Sequence, residues 1–163
     1  MSKQEFTHLD GSGNPNMVNV GQKKATHRLA HAQAIVQLTD EILAQFEADE
    51  IQTKKGPVFQ TAIIAGIMAA KKTGELIPLC HPIGLDDCQV EIQLNEAREV
   101  VINCTAQLTA KTGVEMEALT GATIAALTIY DMCKAFSHDI VIKQVQLMAK
   151  SGGKRDFNRA QNN

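Results

Sequence analysis

No stretch of this sequence is both long and apolar. The richest, TAIIAGIMAA at 61–70, is about half a membrane span and runs straight into Lys71 and Lys72. The opening MSKQEFTHLDGSGNPN has none of the apolar core of a secretory signal, so a cytoplasmic location and no membrane partner are expected. An excess of one charge is also missing. Sixteen Lys and Arg stand against 18 Asp and Glu, a net charge of −2, so no overall field draws the chain to nucleic acid. The four cysteines are irregularly spaced and include no CxxC, so they read as reduced thiols rather than disulfide partners or zinc ligands. SGGK at 151–154 lacks the spacing and the following helix of a phosphate-binding P-loop. Flavin, nicotinamide and iron–sulfur motifs are absent too, and no cofactor or metal is expected.

What is present suits one folded domain: 44% hydrophobic and 21% charged residues over 163 positions. Residues 1–16 read as a mobile polar arm, 17–150 as the domain and 151–163 as a polar tail. MVNV (17–20) suggests a short strand. RLAHAQAIVQL (28–38) puts Ala30, Ala32, Ala34, Val36 and Leu38 on one face at period two, a strand signal. Thr39 offers an N-cap, with Asp40 and Glu41 in the first turn of a helix reaching about Ile51. Pro57 suits the start of a second, mostly buried helix that stops at Gly74. The prolines make LIPLCHPIG irregular. CQVEIQL and EVVINCTAQLT, joined by NEAR, form a hairpin pattern. A long helix from about Gly113 to Phe136 and an alternating strand, DIVIKQVQLMA, complete the chain. Strand, helix pair, strand, strand, helix, strand is the order of a ferredoxin-like split βαβ: an α+β fold with an antiparallel sheet and helices on one face.

The long helix carries charges where a buried helix has none. Asp131 and Lys134, three apart, share a face and can pair. Asp131 also continues the small, apolar row through 117, 120/121, 124 and 127/128, where a carboxylate is expected to be partly buried or to face a cavity. Glu117 lies fourteen positions before it, about 21 Å along a straight helix, too far for one small ligand to touch both. A two-fold copy running the opposite way removes that conflict. His81 stands on a proline-stiffened loop, a suitable mount for an acid–base group. Lys55 sits at the mouth of the second helix, and Lys150, Lys154 and Arg155 surround SGG. The pattern points to a pocket with carboxylates, a histidine and lysines that handles an anion.

LIPLCHP, KTGVEMEALT, ALTIYDMCKA and AKSGGK, with KGPVFQTAIIAGIMAAKKT in support, resemble the cyclic pyranopterin monophosphate synthase family of molybdenum cofactor biosynthesis across residues 6–157. The resemblance implies a homohexamer, a trimer of dimers with sites between subunits, acting on a nucleotide-derived small molecule. It implies conversion of (8S)-3′,8-cyclo-7,8-dihydroguanosine 5′-triphosphate to cyclic pyranopterin monophosphate with loss of pyrophosphate. It further implies Asp131, Lys55 and Lys134 as catalytic residues. Leu79, Cys80, His81, Met116 and Glu117 fall on its substrate-contacting segments, Glu115 and Lys150 on pocket positions, and Arg28 on a phosphate contact. His81 is expected to serve in catalysis as well. Asn19 departs from the family's usual Asp, and Pro57 from a polar residue. Two other classes fit parts of the pattern. A regulatory module would bind a nucleotide through the cations alone, and a metal-dependent phosphohydrolase would need a cluster of histidines and carboxylates.

Overall fold

A computed structural model describes residues 8–161; residues 1–7 of the expected arm lie outside the described residues. In chain order the elements are β1 (Thr26–Gln37), α1 (Asp40–Leu43), β2 (Phe46–Glu47), β3 (Glu50–Thr53), β4 (Gly56–Pro57) and α2 (Val58–Lys71). There follow α3 (Thr73–Leu76), β5 (Asp87–Leu94), β6 (Val100–Ala110), α4 (Glu115–Cys133), β7 (Val141–Ser151) and β8 (Phe157–Asn158), before a single 3₁₀ turn. β1 lies between β6 and β7, antiparallel to both, and the main sheet runs β5-β6-β1-β7-β8. This is the expected ferredoxin-like order with one short strand added at the β7 edge.

Period-two alternation on β1 sends Ala30, Ala32, Ala34 and Val36 into the core at zero exposure. They meet α4, whose Ala118, Ala122, Ala125 and Ala126 are equally buried. Small side chains on both surfaces let the helix lie close to the sheet. The same holds between α2 and α4. A Cβ on Gly121 would stand 2.5 Å from the Cys104 sulfur, and one on Gly66 would stand 2.9 Å from the Gly121 carbonyl oxygen. The two glycines therefore permit the crossing that fixes the direction of α4.

Several expected elements are replaced. MVNV forms no strand; Asn19 instead folds the chain back, its Oδ1 accepting from the Gly21 N–H at 2.9 Å. The helix expected from Asp40 to Ile51 ends at Leu43. Ala48 and Asp49 take positive φ (49° and 61°) and turn β2 into β3, with Phe46 opposite Ile51, a pairing that buries Ile51 completely. Thr39 does not cap: its Oγ1 is buried without a partner among the described residues. The cap that matters is long-range. Glu50 on β3 accepts from the Phe59 and Gln60 N–H groups at 2.8 and 3.1 Å, placing a carboxylate at the N-terminus of α2.

α2 is less buried than expected, since Ile64 and Met68 are 61% and 50% exposed. Nor does Gly74 stop it. Thr73 Oγ1 donates to the Ala70 carbonyl at 2.9 Å at that end, and Gly74 serves a close approach in α3: a Cβ there would meet the Pro82 Cα at 3.0 Å and the His81 carbonyl at 3.1 Å. Within the stretch expected as a polar tail, β8 pairs back on β7. Gly152, at φ +83°, packs so tightly that a Cβ would overlap the His27 carbonyl oxygen.

Candidate active site

The N-terminal end of α4 opens onto a cavity of about 1070 Å³. Four chain segments far apart in sequence form its walls, one of them the stretch from His8 to Lys23. LIPLCHP contributes Leu79, Cys80 and His81, the start of α4 contributes Glu115, Met116 and Glu117, and β7 with its following loop contributes Lys150 and Lys154. The loop can hold this shape because α3 rests on its backbone at Gly74 and because the Cys80 N–H donates to the Ile77 carbonyl at 3.1 Å.

The two glutamates at the mouth of α4 differ in state. Glu117 is 3% exposed, and its burial, reinforced by the negative charge of Glu115, pushes its carboxyl up to about 7. Burial pushes Glu115 in the same direction, but the Lys150 ammonium at 2.9 Å, its own backbone N–H and the Arg28 charge outweigh it and hold Glu115 below the usual range. One glutamate is thus fixed as a carboxylate, while its neighbour exchanges a proton near neutrality. Cys80 is raised by burial and by the Glu117 charge, so it is a thiol lining the cavity and no ready nucleophile.

The other end of α4 carries a separate cluster. Asp131 Oδ1 accepts from Lys134 at 2.8 Å and Oδ2 from Lys55 at 2.9 Å. Lys55 also donates to the Asp131 carbonyl at 3.2 Å, satisfying a backbone acceptor at the helix terminus. These hydrogen bonds, Lys134 first, lower the Asp131 carboxyl to about 2, and the pairing raises Lys134 in turn. Asp131 was expected to be partly buried or to face a cavity. In the single chain its side chain is 54% exposed, because the outward row of α4 runs through Met116, Thr123 and Leu127 to Asp131 and Lys134.

The expected site residues therefore fall into two groups. Leu79, Cys80, His81, Glu115, Met116, Glu117 and Lys150 share the cavity. Arg28 lies in a small recess beside it with Glu115 and Lys150, its Nε buried without a partner among the described residues. Lys55, Asp131 and Lys134 stand together at the far end. The sequence reading missed the stretch from His8 to Lys23, which lines the cavity through Pro15, Val18, Val20 and Lys23. In the sequence only MVNV marks it, and its pattern suggests a strand. That reading also passed over His138–Asp139, a possible ligand pair. Both are exposed, and among the described residues no group of three His, Cys, Asp or Glu could hold a metal ion.

A ferredoxin-like fold whose cavity gathers Glu115, Glu117, His81, Lys150 and Lys154 holds the groups that acid–base chemistry on an anionic small molecule requires. The comparisons narrow this class of chemistry. Residues 17–153 match the MoaC family. A protein of Xanthomonas campestris named cyclic pyranopterin monophosphate synthase is 49% identical over 95% of this chain and 94% of its own length. Proteins named molybdenum cofactor biosynthesis protein 1 from Drosophila melanogaster and Dictyostelium discoideum are 53% and 46% identical, and the chain spans 27% of the length of each. This chain belongs to the MoaC family.

Proposed function

We propose that the protein converts (8S)-3′,8-cyclo-7,8-dihydroguanosine 5′-triphosphate to cyclic pyranopterin monophosphate and releases pyrophosphate, as a lyase of molybdenum cofactor biosynthesis. Family membership and the names of full-length relatives support the reaction. The observation that carries the site is the division of charged groups between the two ends of α4.

Each end is incomplete for this chemistry. Closing a cyclic phosphate needs a base for the attacking hydroxyl and cations for the departing pyrophosphate. Rebuilding the purine needs protons moved at several other atoms. The cavity supplies Glu117, which exchanges a proton near pH 7, with Glu115 and His81 beside it. Lys150 and Lys154 stand at its rim, with Arg28 in the neighbouring recess, to hold the phosphates. The far cluster adds Asp131 between Lys55 and Lys134, the three groups assigned to catalysis.

Both ends serve one substrate when two subunits pair with their α4 helices antiparallel. The outward face of α4 supports such pairing, because Leu127 is half exposed between the two clusters, and the neighbouring helix α2 exposes Ile64 and Met68 as well. Three such dimers make the proposed hexamer. The direct test is to incubate the purified protein with the cyclised substrate and analyse the products. Cyclic pyranopterin monophosphate and pyrophosphate in equal amounts support the reading. Binding without turnover reduces the chain to a nucleotide-binding module.

A further inference from the structure

His81 makes one hydrogen bond among the described residues, from ring Nε2 to the backbone carbonyl oxygen of Val18, at 2.8 Å. A carbonyl oxygen only accepts, so Nε2 must carry the proton. In the neutral ring the lone pair is then on Nδ1, the nitrogen left for a ligand in the cavity that His81 lines.

The carbonyl that fixes this tautomer belongs to the segment missed in the sequence. Residues 17–23 have no strand or helix to hold them. Two local contacts shape the segment: Asn19 Oδ1 accepts from the Gly21 N–H at 2.9 Å, and the Lys23 N–H donates to the Val20 carbonyl at 3.1 Å. A third contact ties it to the body of the protein. Lys111, in the loop between β6 and α4, donates from Nζ to the Gly21 carbonyl at 2.8 Å. Its ammonium is exposed and makes no other hydrogen bond or ion pair among the described residues.

We infer that Lys111 is a positioning residue: it tethers residues 17–23 so that the Val18 carbonyl holds His81 with its proton on Nε2, and proton exchange with the substrate runs through Nδ1. The chain of contacts is short and polar throughout, from Lys111 to the Gly21 carbonyl, three residues of backbone, the Val18 carbonyl and the imidazole. The inference rests on the reading of His81 as a proton-transfer group, although the tether itself is a matter of geometry. It assigns Asn19 a role as well. Its side-chain oxygen makes the turn that an aspartate oxygen would make, so the departure from the family's usual residue keeps the segment's shape.

Histidine-selective ¹⁵N labelling with long-range ¹H–¹⁵N correlation distinguishes the tautomers, and the His81 signals are assigned by their loss in His81→Gln. The parent is expected to show the Nε2–H form. Lys111→Met should move the signals toward a tautomer mixture and lower kcat about ten- to a hundredfold, the scale on which misplacing a catalytic group costs rate. KM should change less than kcat, and Lys111→Arg should restore both readouts. An Nδ1–H ring in the parent, or unaltered signals in Lys111→Met, overturns the tether. If the tautomer moves as expected while His81→Gln keeps full kcat, the tether stands and the catalytic reading of His81 fails.

Discussion

Glu117 and Asp131 lie fourteen residues apart on α4, one 3% exposed against the cavity wall, the other half exposed between two lysines. Their carboxyls are driven in opposite directions, Glu117 up to about 7 and Asp131 down to about 2. A straight helix separates them by about 21 Å, several times the reach of a hydrogen bond. One helix thus offers a proton-exchanging acid at one end and a permanent carboxylate at the other.

Mixing subunits tests whether one site uses both ends. Glu117→Ala and Asp131→Asn proteins, each inactive alone, should regain activity after dissociation and reassembly together, because some mixed dimers hold one intact site. Confirmed subunit exchange with no recovered turnover would count against a shared site.

Asp131→Asn should leave folding and assembly intact and lower kcat by about a hundredfold or more, within the usual worth of a catalytic proton-transfer group. A carboxyl held at about 2 is ionised throughout the working range, so the acid limb of the parent's pH profile belongs to another group. Lys55→Ala and Lys134→Ala should lower kcat and also raise KM, since each removes a cation as well as a partner of Asp131. Steady-state kinetics on protein of verified oligomeric state measures all three.

Stability should fall with pH because of Glu117. The folded protein keeps the carboxyl protonated up to about pH 7, whereas the unfolded chain releases the proton near 4.5. The native state therefore binds more protons between these values and loses stability as pH rises from about 4.5 to 7. Glu117→Gln should match the parent at pH 4 and exceed it by about 3 kcal/mol at pH 8, from the size of the shift. Denaturant melts at the two pH values read the difference, and equal gains at both would exclude this origin.

Gly121→Ala should destabilise the fold by about 1–3 kcal/mol, the range for overpacking a core. Its methyl would sit 2.5 Å from the Cys104 sulfur. Adding Cys104→Ala removes that sulfur and should recover part of the loss, a coupling that a double-mutant cycle measures.

The exposed apolar face should hold subunits together. Leu127→Asp, at a position 52% exposed, is expected to leave the monomer folded and dissociate the dimer, with activity lost as it does so. Light scattering beside a turnover assay checks both parts.

The sheet and its long helix were legible because local patterns and tertiary demands agree there. Alternation in β1, β5 and β6 matches burial on one face, and the turn at NEAR closes the expected hairpin. Between Asp40 and Ile51 they disagree. Thr39, Asp40 and Glu41 start a helix, as their residue types favour, but burying Ile51 opposite Phe46 favours a hairpin, so the helix ends at Leu43. MVNV failed for a related reason. Its β-favouring valines find no strand to pair with, and they line the cavity instead while the Val18 carbonyl meets His81.

The residue types of the site, its place at the ends of one packed helix and the 21 Å that divides them were set by the sequence alone, because helix rise and side-chain chemistry are local properties. Tertiary structure decided which groups meet. Lys55 lies 76 positions from Asp131, Glu115 is 35 from Lys150, and Val18 is 63 from His81. No local pattern encodes such pairings; the sheet order and the crossing at Gly66 and Gly121 do. Protonation was decided at the same level. Two carboxylates in the first turn of α4 look alike in sequence, yet one is buried with no cation beside it among the described residues and the other is held by Lys150. The energy of a charge depends on what surrounds it.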